Sequence, residues 1–233
     1  LHKAIRRQRQ MCIRDRYYKG YFDALIQTQM KLFGYNVIAD VLTPEEFKKI
    51  SAFIGFKNDG QMFLDARDMF INILEKKVTA VERTGLLKAL SRYYPVTLFS
   101  DVTDAELQNV AFKGYVNYLT EMPDVFHRSR INLNITLRSI QSGIPLRCLD
   151  IMGTGGFLMS NYQPELAKLF ENGREMAMYE SKEDLLDKVN YYLTHEEERK
   201  EIAYLGREKV RKEYDYKVAV QKIVEIVKTD KLS

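Results

Sequence analysis

The chain has 233 residues, 45% of them hydrophobic and 29% charged, with only 12 glycines and 5 prolines; this excludes a disordered or collagen-like protein. No apolar run approaches the roughly twenty residues of a membrane-spanning helix. Two cysteines, Cys12 and Cys148, and three scattered histidines, His2, His127 and His195, give no disulfide framework and no zinc spacing, which points to a reduced, cytoplasmic protein without a metal.

The net charge of +4 is a property of the first residues. Lys3, Arg6, Arg7, Arg9, Arg14 and Arg16 stand against Asp15 alone, and the rest of the chain is close to neutral. This start lacks the apolar core of a secretory signal and the serines of a transit peptide. Met11-Cys12-Ile13-Arg14-Asp15-Arg16 reads like translated adapter sequence, so residues 1–16 are taken as a non-native basic leader. The competing reading is a nucleic-acid arm; no nucleic-acid partner is expected.

Residues 17–33 predict a helix with Phe22, Leu25, Ile26, Met30 and Phe33 toward one face. Residues 36–42 read as a connector with an apolar pair, Val37-Ile38. Thr43-Pro44-Glu45-Glu46 opens the next helix with a capping threonine and a first-turn proline. Two further helices are expected over 64–75 and 79–92. From Pro95 the pattern changes to short apolar runs at 96–99, 110–112, 131–135, 156–160 and 175–179, with helical stretches at 122–130, 145–152 and 164–171. Alternation at this spacing predicts an α/β fold, a Rossmann-like parallel sheet with helices on both faces. Ser181 with Asp184, and Thr194 with Glu197, predict the starts of two closing helices. A last helix carries Val220, Ile223, Val224 and Val227 at helical spacing.

Ligands of an open parallel sheet bind beyond the carboxyl ends of its strands. Asn134, Thr136 and Arg138 follow the run at 131–135 and lead to Ser142-Gly143-Ile144-Pro145, which reads either as an anion cradle or as a capped turn. Arg147 and Asp150 lie three apart on the next helix, as phosphate and ribose ligands or as an exposed ion pair. Gly153-Thr154-Gly155-Gly156 follows a helix and precedes a strand, the reverse of a dinucleotide fingerprint, so it reads first as a helix C-cap. His127 reads as a helix-end cation, and no catalytic triad or carboxylate pair stands out.

Taken in order, Val110 to Val116, Ile131 to Thr136, Gly143 to Ser160, Glu165-Leu166, Phe170 to Gly173, Glu175 to Tyr179 and the helix at 184–193 form a familiar succession. It resembles the C-terminal, nucleotide-sugar-binding domain of GT-B glycosyltransferases, and within them the bacterial spore-maturation, CgeB-like group. The resemblance implies a nucleoside-diphosphate-sugar donor, an unidentified acceptor, no metal, and an N-terminal Rossmann-like domain absent from this chain. It divides the chain into the leader (1–16), a helical hinge (17–75) and the donor-binding domain (76–233). Retaining members of the wider class carry two glutamates eight apart, the second binding the ribose. Here Asp150 holds that second place and Ser142 stands where the first would be, which leaves the stereochemical outcome open. Arg147 matches the CgeB-like group and is the implied leaving-group stabiliser. Asn134, Thr136, Arg138, Gly143, Gly155 and Gly156 complete the implied donor site. A non-catalytic α/β module that kept the fold without turnover is the rival function.

Overall fold

A computed structural model describes residues 2–56, 65–140 and 142–230. The side chains of the leader's Lys3, Arg6, Arg7, Arg9 and Arg14, and of His2 and Cys12, lie outside what it describes. Two compact units emerge, one of Leu1–Arg83 with Leu137–Gln141, the other of Thr84–Thr136 with Ser142–Ser233.

The first unit is helical: α1 (His2–Lys31), α2 (Val37–Val41), α3 (Pro44–Ile54) and the first part of α4 (Ala66–Leu90). Its core joins Leu25 and Ile26 of α1, Ile38 of α2, Leu42, Ile50 of α3 and Phe70, Ile71, Leu74 and Val78 of α4. Phe70 centres an aromatic group, with Phe22 at 5.6 Å, Phe47 at 5.8 Å and Phe56 at 5.2 Å between ring centres. Thr43 caps α3 as its sequence predicts, accepting the Glu46 amide at 3.3 Å.

Three elements differ from expectation. α1 extends back to His2 through the leader. The connector at 36–42 contains α2, which Asn36 caps locally and groups on other helices hold: Gln29 Oε1 accepts from the Ile38 amide, and Arg67 donates to the Ala39 and Leu42 carbonyls at 2.6 Å each. The two helices expected over 64–75 and 79–92 form one, because no breaker separates them and Val78 is fully buried; residue 64 lies outside the described residues.

The second unit is α/β. After α4 come β1 (Val96–Leu98), β2 (Val110–Phe112), α5 (Met122–Arg128), β3 (Asn132–Asn134), α6 (Leu146–Gly153), β4 (Leu158–Asn161), α7 (Pro164–Leu169), β5 (Ala177–Tyr179), α8 (Lys182–Thr194), α9 (Glu196–Glu213) and α10 (Tyr216–Asp230). All pairings are parallel, in two ladders: β1 with β2, Val96 opposite Val110, and β3-β4-β5, Asn132 opposite Leu158 and Met159 opposite Ala177. Side-chain packing joins the ladders, since Leu133 of β3 lies against the cluster of Leu87, Leu107 and Val110.

Strand alternation sends side chains to two opposite cores. Met159, Ala177 and Tyr179 pack with Leu86 and Leu90 of α4, Leu185, Val189 and Tyr192 of α8, and Ile202 of α9. Leu158, Met176 and Met178 pack with Cys148, Ile151 and Met152 of α6, Leu166 of α7 and Val210 of α9. α9 thus serves both cores, and Gly206 between Ile202 and Val210 lies where any Cβ would overlap the Glu175 carbonyl. Ser181 caps α8, accepting the Asp184 amide at 3.0 Å. The cap expected from Thr194 does not form: its hydroxyl donates to the Tyr191 carbonyl at 2.8 Å, closing α8, and His195 is the uncapped N-cap of α9. No described helix is long and apolar enough to cross a membrane.

Cys148 is fully buried between α6 and β4, and burial pushes its thiol up to about 12 against the ordinary 9.0, with a bond to Ser160 opposing. A thiol raised on folding contributes stability that is complete below about pH 9 and is lost as pH rises toward the folded value. Chemical denaturation at several pH values should therefore show Cys148→Ala losing less stability than the parent between about pH 9 and pH 11; parallel profiles would contradict this. Gly206→Ala should cost about 1–3 kcal/mol or more through overpacking against Glu175, read as a lower denaturation midpoint, whereas an unchanged midpoint would mean that α9 does not press there.

Candidate functional site

β3 and β4 end side by side, and polar side chains gather at their carboxyl ends. Asn134, Thr136, Ser160 and Asn161 are all buried there. Asn134 Nδ2 donates to Thr136 Oγ1 at 2.9 Å and to Ser160 Oγ at 3.0 Å. Asn161 Oδ1 accepts the Thr136 backbone amide at 2.9 Å. That bond fixes the Asn161 amide, since only its oxygen can accept. Its Nδ2 is left buried with no hydrogen-bond partner. An unpaired buried donor costs roughly 1–3 kcal/mol, and at a strand end it is a group that a ligand or a water can complete.

α6 begins beyond these strands. Pro145 is its N-cap and no side chain caps it; the Cys148 amide turns back to the Pro145 carbonyl at 2.9 Å, so the Leu146 and Arg147 amides keep their capacity for an outside acceptor. Arg147, in that first turn, is exposed, and its guanidinium carbon lies 5.9 Å from the centre of the Tyr118 ring and 5.5 Å from that of Phe126. Asp150, half-buried, accepts a hydrogen bond from the Tyr118 hydroxyl. This bond, then burial, raises the Tyr118 hydroxyl above its usual range and keeps it a donor. Arg147 and Asp150 form no ion pair within 4 Å, so the exposed pair considered from their spacing is not what the fold makes of them. Cys148, between them in sequence, is fully buried on the inner face of α6.

The other sequence candidates are engaged elsewhere. Arg138 belongs to the helical unit, where its guanidinium meets both Glu82 oxygens at 3.0 and 2.7 Å, donates to the Leu32 carbonyl and lies 4.0 Å over Phe33. Both partners of this pair are under 10% exposed, so the guanidinium is committed to Glu82. Gly143, at φ 89°, gives its amide to the Glu165 carboxylate of α7. Gly155 and Gly156 end α6: their amides reach the Met152 and Ile151 carbonyls at 2.8 and 2.9 Å, with Gly155 left-handed at φ 80°. A Cβ on Gly156 would stand 2.7 Å from the Phe126 carbonyl, so close packing accounts for this glycine. His127 Nδ1 lies 3.1 Å from the Thr154 carbonyl.

The fold therefore brings Asn134 to Thr136, and joins Arg147 and Asp150 through Tyr118. Sequence reading missed Asn161, Ser160 and Tyr118. Asn161 carried a usable signal, a polar residue at a strand end like Asn134, but the expected strand stopped one residue short of it. Tyr118 lies in an irregular segment and carried none. Among the described residues, no group of three His, Cys, Asp or Glu side chains is placed to hold a metal ion.

The profile of the Glycosyl transferase-like family matches residues 83–225. No curated protein matches. Among solved structures, the C-terminal domain of a group 1 family glycosyl transferase (LpcC) from Francisella tularensis is 16% identical at a TM-score of 0.47, covering 57% of this chain and 80% of that one. A glycosyltransferase from Rickettsia africae ESF-5 is 13% identical at a TM-score of 0.50, covering 81% of this chain. The match spans 52% of the Rickettsia africae chain, about half its length. The Rickettsia africae structure shares the fold of parallel strands flanked by helices. The family profile takes in both parallel ladders, all of the strand-end residues and most of the closing helices, and by that match the chain belongs to the Glycosyl transferase-like family.

Proposed function

We propose that this chain is the donor-binding half of a CgeB-like, GT-B, cytoplasmic hexosyltransferase. It binds a nucleoside-diphosphate sugar and supports transfer of the sugar to an acceptor held by an N-terminal Rossmann-like domain outside this sequence. The observation that carries the reading is that the family match encloses the strand ends where Asn134, Thr136, Asn161, Arg147 and Asp150 stand.

The chemistry follows from these groups. Arg147 and the uncapped first turn of α6 offset negative charge as it develops on the leaving diphosphate. Asp150, with the carboxylate oxygen that Tyr118 does not use, accepts from the ribose hydroxyls. Asn161 Nδ2 is a donor in want of an acceptor, and Asn134 and Thr136 hold it in place through the buried cluster. These are binding and charge-stabilising roles. The acceptor's base is assigned to the N-terminal half, for which the apolar face of α10 is suited, with Tyr216, Val220, Ile223, Ile226 and Val227 exposed.

Calorimetry against a panel of nucleoside diphosphates tests the reading. One or more should bind, and Asp150→Ala should weaken that binding by about ten- to a hundredfold, the effect of a hydrogen bond to a charged group. Arg147→Ala should weaken inorganic diphosphate binding as much as nucleoside diphosphate binding. A folded protein that gives no heat with any nucleoside diphosphate would favour the non-catalytic module.

A further inference from the structure

Opposite charges three residues apart on a helix normally pair with each other. Arg147 and Asp150 do not, and the side chain between them in space is Tyr118. Its hydroxyl holds the Asp150 carboxylate, while its ring and that of Phe126 lie under the Arg147 guanidinium. Tyr118 comes from the segment joining β2 to α5, and that segment is built around Asn117. Asn117 Oδ1 accepts the Leu119 and Thr120 amides at 3.0 Å each, its own amide donates to Glu121 at 2.8 Å, and its carbonyl accepts from Glu121 and Met122. Phe126 is anchored in the core beneath α6. Tyr118 therefore stands on a braced turn and not at the tip of a slack loop.

We propose that Tyr118 is a positioning residue of the donor site: it fixes the Asp150 carboxylate and supports the Arg147 guanidinium, so that the two anchors stay apart and open to ligand. The proposal rests on the donor-binding reading given above. A carboxylate has about four lone-pair sites, and the Tyr118 hydroxyl takes one, leaving the rest for a ribose diol. Without that bond Asp150 can swing toward Arg147, and an ion pair between them would neutralise both anchors at once.

The test uses the full chain, Tyr118→Phe, Tyr118→Leu, Asp150→Ala and the double variant Tyr118→Phe/Asp150→Ala, each checked by circular dichroism. The probes are the tightest-binding member of a UDP, ADP, GDP, CDP and TDP panel, and inorganic diphosphate. Tyr118→Phe keeps the ring and loses the hydroxyl; it should weaken nucleoside diphosphate binding and inorganic diphosphate binding each about three- to tenfold, the effect of one hydrogen bond, because the released Asp150 carboxylate then engages Arg147. Tyr118→Leu should weaken both. In the Asp150→Ala background, Tyr118→Phe should change nothing further, because its effect passes through Asp150. If Asp150→Ala weakens binding while Tyr118→Phe does not, the role of Tyr118 is overturned and the site reading stands. If Tyr118→Phe costs the same with and without Asp150, Tyr118 acts independently of it and the positioning role is likewise overturned. If Asp150→Ala itself has no effect, the site reading fails and takes the proposal with it.

Discussion

The β3-β4-β5 ladder is covered on both faces, and that constraint organises the rest of the second unit. Each strand offers alternate side chains to two cores, so Leu158 and Met178 go one way and Met159 and Tyr179 the other. Nothing polar can stand on either face unless it is bonded there. Polar chemistry is confined to the strand ends, and the carboxyl ends of β3 and β4 are where Asn134, Thr136, Ser160 and Asn161 collect. The same covering explains the two tight glycines. Gly156 lets the chain turn from α6 into β4 against the Phe126 carbonyl, and Gly206 lets α9 pass the ladder against Glu175.

From this follows a division of labour within α6. Its inner side, Cys148, Ile151 and Met152, is core. Its outer first turn has no side-chain cap and carries Arg147, with Asp150 one turn on. The helix is short and rigidly ended by the Gly155–Gly156 turn, so the placement of Arg147 and Asp150 is set by core packing and not by the helix alone. Tyr118 supplies what packing does not, a hydrogen bond to the half-buried Asp150 carboxylate.

Much of this architecture is legible in the sequence. Short apolar runs and capping residues located every described strand and most of the described helices, and the caps at Thr43 and Ser181 form as written. The order of motifs carried the family. What could not be read depends on partners distant in the chain. α2 exists because Gln29 and Arg67 satisfy its backbone from other helices. Thr194 has the spacing of a cap but is itself the last residue of α8, and its hydroxyl turns back to the Tyr191 carbonyl. Arg138 looks like an anion ligand by its position after β3, yet Glu82, more than fifty residues earlier, takes its guanidinium. Gly143, Gly155 and Gly156 look like phosphate-loop glycines, but their amides are used by Glu165 and by the end of α6. The residues found only in three dimensions, Tyr118, Ser160 and Asn161, are marked by a contact across the fold, by the bond to Asn134 and by an unfilled hydrogen bond.

The central claim is that the carboxyl ends of β3 and β4, with the start of α6, hold a nucleoside diphosphate. Amide and side-chain NMR of the isotope-labelled chain, titrated with the tightest nucleoside diphosphate, tests it most directly. The account predicts that the largest shifts fall on the Asn161 side-chain amide, the Arg147 guanidinium, the Leu146 and Arg147 backbone amides and the residues around Asp150, with the Arg138 guanidinium unmoved. Saturable shifts centred elsewhere, with these groups silent, would contradict it.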